Sequence, residues 1–195
     1  MSPNPVGRPR QFNEEVALQA VMEVFWQKGF DGASLTDLCK ATGLHKGSLY
    51  QAFGDKQQIF ATALNYYTEQ RFLEVVAVVS EASSPLTNLK AIVNRICTLM
   101  QEDTGCLIVN SMTAGLESQP EISKVLVGFY EKRLNALTEM ITAAKQEGEI
   151  KPNLEPEALA EELMISLSGA GIAVKGPLGK ENTVKAMLRL IEHWR

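Results

Sequence analysis

Lys46, Gly47, Ser48, Tyr50 and Gln51 bring a cation, a bare backbone, a hydroxyl, a phenol and an amide into one short stretch. Such groups make charge-assisted bonds to phosphate and hydrogen bonds to the edges of bases. Leu49 and Phe53 recur among them at helical spacing, so the polar side chains fall on one face and the apolar ones behind. Gly43, just upstream, permits the left-handed backbone of a tight turn. Together these satisfy a helix-turn-helix, whose second helix must enter a major groove about 12 Å wide while the first braces it.

The elements that must hold this stretch read as helical from end to end. Ala17, Ala20, Val21, Val24 and Phe25 follow the N-cap candidate Asn13 at helical spacing, and Gly29 stands where a left-handed residue ends a helix, predicting a first helix over about 14–28. Ser34 with Asp37 forms a capping box for a two-turn helix ended by Gly43. After a helix over 46–53, Asp55 caps a long helix from Lys56 toward Val79, interrupted by Ser83-Ser84-Pro85. Further helices are expected at about 86–101, 106–117, 121–147, 156–175 and 180–194. No segment sustains strand alternation, so the fold class is all-α, with about nine helices.

The strings Gly29-Phe30-Asp31-Gly32-Ala33-Ser34-Leu35, Leu38-Cys39-Lys40-Ala41-Thr42-Gly43-Leu44 and Lys46-Gly47-Ser48-Leu49-Tyr50, with Phe53 and Lys56, resemble the N-terminal domain of the TetR family of bacterial transcriptional repressors. The resemblance spans about residues 12–60. It implies a three-helix DNA-binding head over 1–56 and an effector-binding and dimerisation domain over 57–195. By position, Lys46, Gly47, Ser48 and Tyr50 correspond to recognition-helix contacts, Lys56 to a phosphate contact, and Ser34 and Thr36 to the start of the bracing helix, where amides and hydroxyls approach phosphate.

The chain also departs from the family. Gln51 and Ala52 stand where an aromatic and then a histidine are common, and His45 replaces a small hydroxyl residue, so no operator sequence carries over. Gln51 either reads adenine through a bidentate pair or is simply solvated. Arg8 and Arg10, in Gly7-Arg8-Pro9-Arg10, suit an arm entering an adjacent minor groove; the alternative is a plain chain end.

For the second half, two-fold pairing lets two weak heads act together on half-sites one helical turn apart. Ser166, Gly169, Ala170 and Ala173 permit close backbone approach, and Val184, Met187, Leu188 and Ile191 form an apolar stripe, which points to a four-helix homodimer interface; core packing is the alternative. Met100, Met112, Leu116, Phe129, Tyr130, Met164 and Leu167 suit an adaptable effector pocket, or ordinary core. No basic cluster is evident, so the expected effector is an apolar or modestly polar small molecule. Cys106, after Gly105 at an expected helix start, occupies a position that favours a reactive thiolate. Gly105-Cys106-Leu107 resembles the element of TetR-type regulators that sense electrophiles or oxidants, the group including the N-ethylmaleimide reductase repressor, and Lys175 matches a lysine able to stabilise such a thiolate. An inert buried thiol is the other reading. Cys39 and Cys97 lie on helix stripes and read as core.

Composition limits the alternatives. The 195 residues are 45% hydrophobic with a net charge of −4, enough apolar content for a substantial core. Six basic and six acidic residues fall in 1–56, so the acidic excess lies wholly in the remainder and does not argue against nucleic acid. Three cysteines and two separated histidines give neither a disulfide framework nor a zinc constellation, and no run suits a membrane span, so a reduced, cytoplasmic setting without metal or cofactor is expected. Hydrolase, metalloprotease and phosphate-loop motifs are missing, and Gly169-Ala170-Gly171 lacks both the third glycine and a preceding strand, so no enzyme is expected. The resulting expectation is a regulator, most simply a repressor, released from a palindromic operator by an effector or by modification of Cys106. A helical protein-interaction module, or an enzyme without DNA binding, is the alternative.

Overall fold

The computed structural model describes residues 12–100 and 105–195, and among them every regular element is a helix. α1 (Glu14–Gly32) starts where Asn13 accepts hydrogen bonds from the amides of Glu15 and Val16, and it breaks at Gly29, at φ 71°, before one more turn. α2 (Leu35–Thr42) opens with the capping box: Ser34 Oγ accepts from the Asp37 amide and the Asp37 carboxylate accepts from the Ser34 amide. Gly43 closes it at φ 68°, and α3 (Lys46–Phe53) follows after two residues.

α4 (Lys56–Val76) is capped by Asp55 and Gln58. It stops three residues short of the expected Val79, because Val78 and Val79 face solvent and no packing extends the helix there. α5 (Pro85–Leu99) begins with Ser84 as N-cap and Pro85 in the first turn. The single helix expected over 106–117 is divided into α6 (Leu107–Thr113) and a 3-10 turn (Leu116–Ser118), because Gly115 takes φ 73° between them. α7 (Pro120–Gln146), α8 (Pro156–Ala173) and α9 (Gly179–Glu192) complete the chain.

Two apolar clusters organise these helices. One joins α1, α2 and α3 to the N-terminal half of α4, to α6 and to the start of α7, around Phe25, Leu38, Leu49, Phe60, Ile108 and Ile122. The other joins Val75 of α4 to α5, the second half of α7, α8 and α9, around Leu89, Ile141, Leu163 and Ile191. The head's core therefore continues past Lys56 into the second half of the chain. Cys106 and Tyr130 pack against both clusters and mark their seam. Among the described residues, no helix is long and apolar enough to cross a membrane.

Candidate nucleic-acid interface and effector cavity

The head presents α3 edge-on. Leu49 is fully buried and Phe53 nearly so, while His45, Lys46, Gly47, Ser48, Tyr50, Gln51 and Ala52 are all exposed. Removing either anchor would cost about 2–5 kcal/mol of core packing, which is why the polar face has a fixed direction. His45 is the N-cap but gives no side-chain cap, so the first-turn amides of α3 lie open to an external acceptor. Lys46 Nζ lies 5.6 Å from the Tyr50 ring centroid, keeping the ammonium on that face.

Ser34 and Thr36 are exposed at the start of α2, beside the same edge. The Ser34 hydroxyl donates to Asp37 at 2.7 Å, so that proton is already committed. Lys28 Nζ bonds the same carboxylate at 2.5 Å; this hydrogen bond, with those from Ser34, holds Asp37 well below the usual carboxylate range. A neutralised pair thus replaces a bare negative charge on the edge. Lys56 is half-buried, with Nζ 4.7 Å from the Phe30 ring centroid, which fixes the start of α4 to the end of α1. Arg8 and Arg10 lie outside the described residues.

At the seam of the two clusters lies a cavity with about 50 Å³ of free space, room for about three or four waters. Of the expected pocket residues, it brings together Met100, Cys106, Phe129, Tyr130, Met164 and Leu167. Three others fall elsewhere. Met112 is exposed on the outer surface and reaches the cavity only through the Tyr130 hydroxyl, 3.2 Å from its sulfur. Leu116 is core beneath the head, because the Gly115 break turns it inward. Lys175 lies over Gly105: a Cβ there would be 2.1 Å from Lys175 Cε and 2.2 Å from Nζ. Lys175 therefore guards the peptide before Cys106 and does not line the cavity.

The cavity also contains residues that sequence reasoning missed: Tyr67 and Arg71 on α4, Arg133 on α7 and Ser168 on α8. The spacing of Tyr67 with Arg71, and of Phe129 with Arg133, four apart on one helix face, was the available signal. Burial, and after it the neighbouring Cys106, pushes the Tyr67 phenol above its ordinary value of 10.0. Arg71 stacks over Trp26 at 4.9 Å and Tyr67 at 5.3 Å, and bonds Glu74 at 3.2 Å. Trp26 Nε1 donates to the Gly105 carbonyl at 2.8 Å, joining α1 to the residue before Cys106. Among the described residues, no group of three His, Cys, Asp or Glu side chains could hold a metal.

The expected dimer stripe divides in two. Ala170, Met187 and Ile191 point into the chain's own core and so are not free to meet a second subunit: on a helix with apolar residues on two faces, spacing alone does not say which face is inward. Gly169 is exposed, and Ser166, Ala173, Val184 and Leu188 are half-buried. The outward face of α8 instead carries Ile165 and Ile172, 74% and 59% exposed, two turns apart.

Two family models match the chain: bacterial regulatory proteins of the tetR family over residues 17–63, and a tetracyclin repressor-like C-terminal domain over residues 85–188. The chain is 26% identical over 196 residues to the HTH-type transcriptional repressor ComR of Escherichia coli K12, covering 96% of this chain and 91% of ComR. A cysteine-substituted TetR family transcriptional regulator, CifR, bound to a 26-bp double-strand operator, superposes with a TM-score of 0.81 at 26% identity, covering 97% of this chain and all of that one. The reduced form of NemR from E. coli has the same fold, with a TM-score of 0.81 at 17% identity over 92% of this chain and 94% of NemR. The chain belongs to the TetR family of bacterial regulatory proteins, DNA-binding regulators of transcription.

Proposed function

We propose that this protein is a cytoplasmic homodimeric repressor whose residues 1–56 bind a palindromic operator and whose residues 57–195 pair the subunits and receive the effector. The observation that carries this reading is the continuous exposed face of α3, from His45 to Ala52, set on two buried anchors. Lys46, Gly47, Ser48, Tyr50 and Gln51 approach base edges and phosphates, with His45, Ser34, Thr36 and Lys56 on the flanking backbone and Arg8 and Arg10 as a minor-groove arm. The operator duplex bound by CifR and the repressor description of ComR support it. Subunits pair through α8 and α9, with Ile165, Ser166, Gly169, Ile172, Ala173, Val184 and Leu188 in the seam.

Release follows from continuity. α4 runs unbroken from Lys56, seated on Phe30 of the head, to Tyr67, Arg71 and Val75 in the cavity wall. An effector entering so small a space must displace α4 and alter the separation of the two α3 helices; the coupling required is about 1–3 kcal/mol per site. Modification of the Cys106 thiol, at the seam and beside Tyr67, would act on the same helix, with Lys175 and the Gly105 peptide adjusting above it. Catalysis has no part in this reading.

The test is selection of duplex DNA by the purified full chain, followed by titration at several salt concentrations. Lys46→Ala should weaken binding to the selected duplex and reduce the salt slope by about one. Unchanged affinity and slope would remove Lys46 from the interface, and binding without sequence preference would favour the interaction-module rival. For the thiol route, Cys106→Ser should abolish release by N-ethylmaleimide, and a fully responsive variant would discard it.

A further inference from the structure

Arg133 is a half-buried cation of the cavity wall that meets no carboxylate among the described residues. Its guanidinium lies 4.3 Å from the Phe129 ring centroid, and no carboxylate among the described residues pairs with it, whereas Arg71 reaches Glu74. Burial pulls the guanidinium below its ordinary value, and the groups that counter this are Cys106, Tyr67 and Tyr130, none of them a carboxylate. A cation partly withdrawn from water, with no carboxylate beside it among the described residues, carries a desolvation cost that an arriving anion relieves.

Arg133 also stands at a doorway. It and Phe129 line both the inner cavity and an outer groove of about 570 Å³ between α4 and α7, floored by Phe72, Leu73 and Ala136. Glu69, Glu139 and Lys132 share that groove, so its charge is mixed and selection for an anion falls to Arg133. Behind it the Tyr130 and Ser168 hydroxyls lie 3.1 Å apart, Tyr67, Cys106 and the Glu74-bonded Arg71 add polar atoms, and the rest of the wall is apolar, with the soft Met100 and Met164.

The geometry points to a specific effector class: a small organic acid, one carboxylate on a compact apolar body, with the carboxylate paired to the Arg133 guanidinium and the body among Met100, Met164 and Leu167. A planar guanidinium matches a carboxylate in a bidentate pair. The apolar wall does not suit a polyphosphate. Because the free space is about 50 Å³, the acid enters by displacing α4, with the flexible side chains of Met100 and Met164 yielding around its apolar body. This differs from the expectation of an apolar or modestly polar small molecule, and it rests on the effector reading above for the location of the site.

The full-length protein is melted with pentanoate, hexanoate and phenylacetate, each compared with its primary amide and with sodium chloride at equal concentration. The acids should bind at least about tenfold more tightly than their amides. Arg133→Gln should erase that preference and Arg133→Lys restore part of it. Equal binding of amides and acids, or no binding by any acid, overturns the proposal; this comparison uses the wild-type chain, so a variant that misfolds cannot obscure it. Failure of the acids combined with slower alkylation of Cys106 in Arg133→Gln would assign the guanidinium to the thiolate, and likewise overturns it. Acid binding that leaves affinity for the selected duplex unchanged defeats the release mechanism but keeps the site, whereas release by amides alone does the reverse.

Discussion

The Trp26 indole N–H donates to the Gly105 carbonyl at 2.8 Å, across 79 residues of sequence, and ties the first helix of the DNA-binding head to the peptide that precedes Cys106. Tyr67 meets the same indole edge to face at 5.3 Å and Arg71 lies over it at 4.9 Å, so head, long helix and cavity meet on one ring. Trp26→Phe keeps an aromatic ring and removes the donor. It should lower stability by about 1 kcal/mol in chemical denaturation and weaken release by N-ethylmaleimide more than it weakens duplex binding. An unaltered release response would show that the signal bypasses this bond.

Ile165 and Met187 make opposite predictions. Ile165 is 74% exposed, so Ile165→Glu should leave the melting temperature of the monomer near the wild-type value while splitting the dimer in sedimentation. Met187 is packed in the core, and Met187→Ala should cost about 2–5 kcal/mol in denaturation. Were Ile165→Glu to remain dimeric, the subunits would have to pair through another face.

Asp37 gives the head an acid-sensitive cap. Its carboxyl is held below the ordinary value of 3.8, first by the Lys28 hydrogen bond and then by Ser34. The folded state therefore favours the carboxylate, and that contribution is fully present above the unfolded value and is lost progressively as pH falls from there through the much lower folded value. Melting followed by circular dichroism should show wild type and Asp37→Asn differing at pH 7, with the gap narrowing steadily as pH falls below about 4. A difference that does not narrow as pH falls would contradict the ionised cap.

The three cysteines should separate by reactivity. Cys97 is fully buried and its thiol is pushed up to about 11, whereas Cys39 and Cys106 are half-buried. Mass spectrometry after brief alkylation of the native protein at neutral pH should find Cys97 unmodified, with label appearing only on denaturation. Early labelling of Cys97 would mean that the α5 packing opens readily.

Local chemistry fixed much of this in advance. Asn13, Ser34 and Asp55 cap their helices through their own side chains, and Gly29 and Gly43 break them at positive φ, so the head's elements were legible from neighbours a few residues apart. The polar face of α3 followed from the spacing of Leu49 and Phe53. What the linear order could not supply is which helix faces which. Arg133 becomes a cavity cation only because α7 packs against both α4 and α8, Lys175 covers Gly105 only through the return of the chain after α8, and Met187 turns inward while Ile165 turns outward. Helical periodicity defines stripes, but only the joint burial of all of them decides which stripe becomes core, which becomes cavity and which is left for a partner.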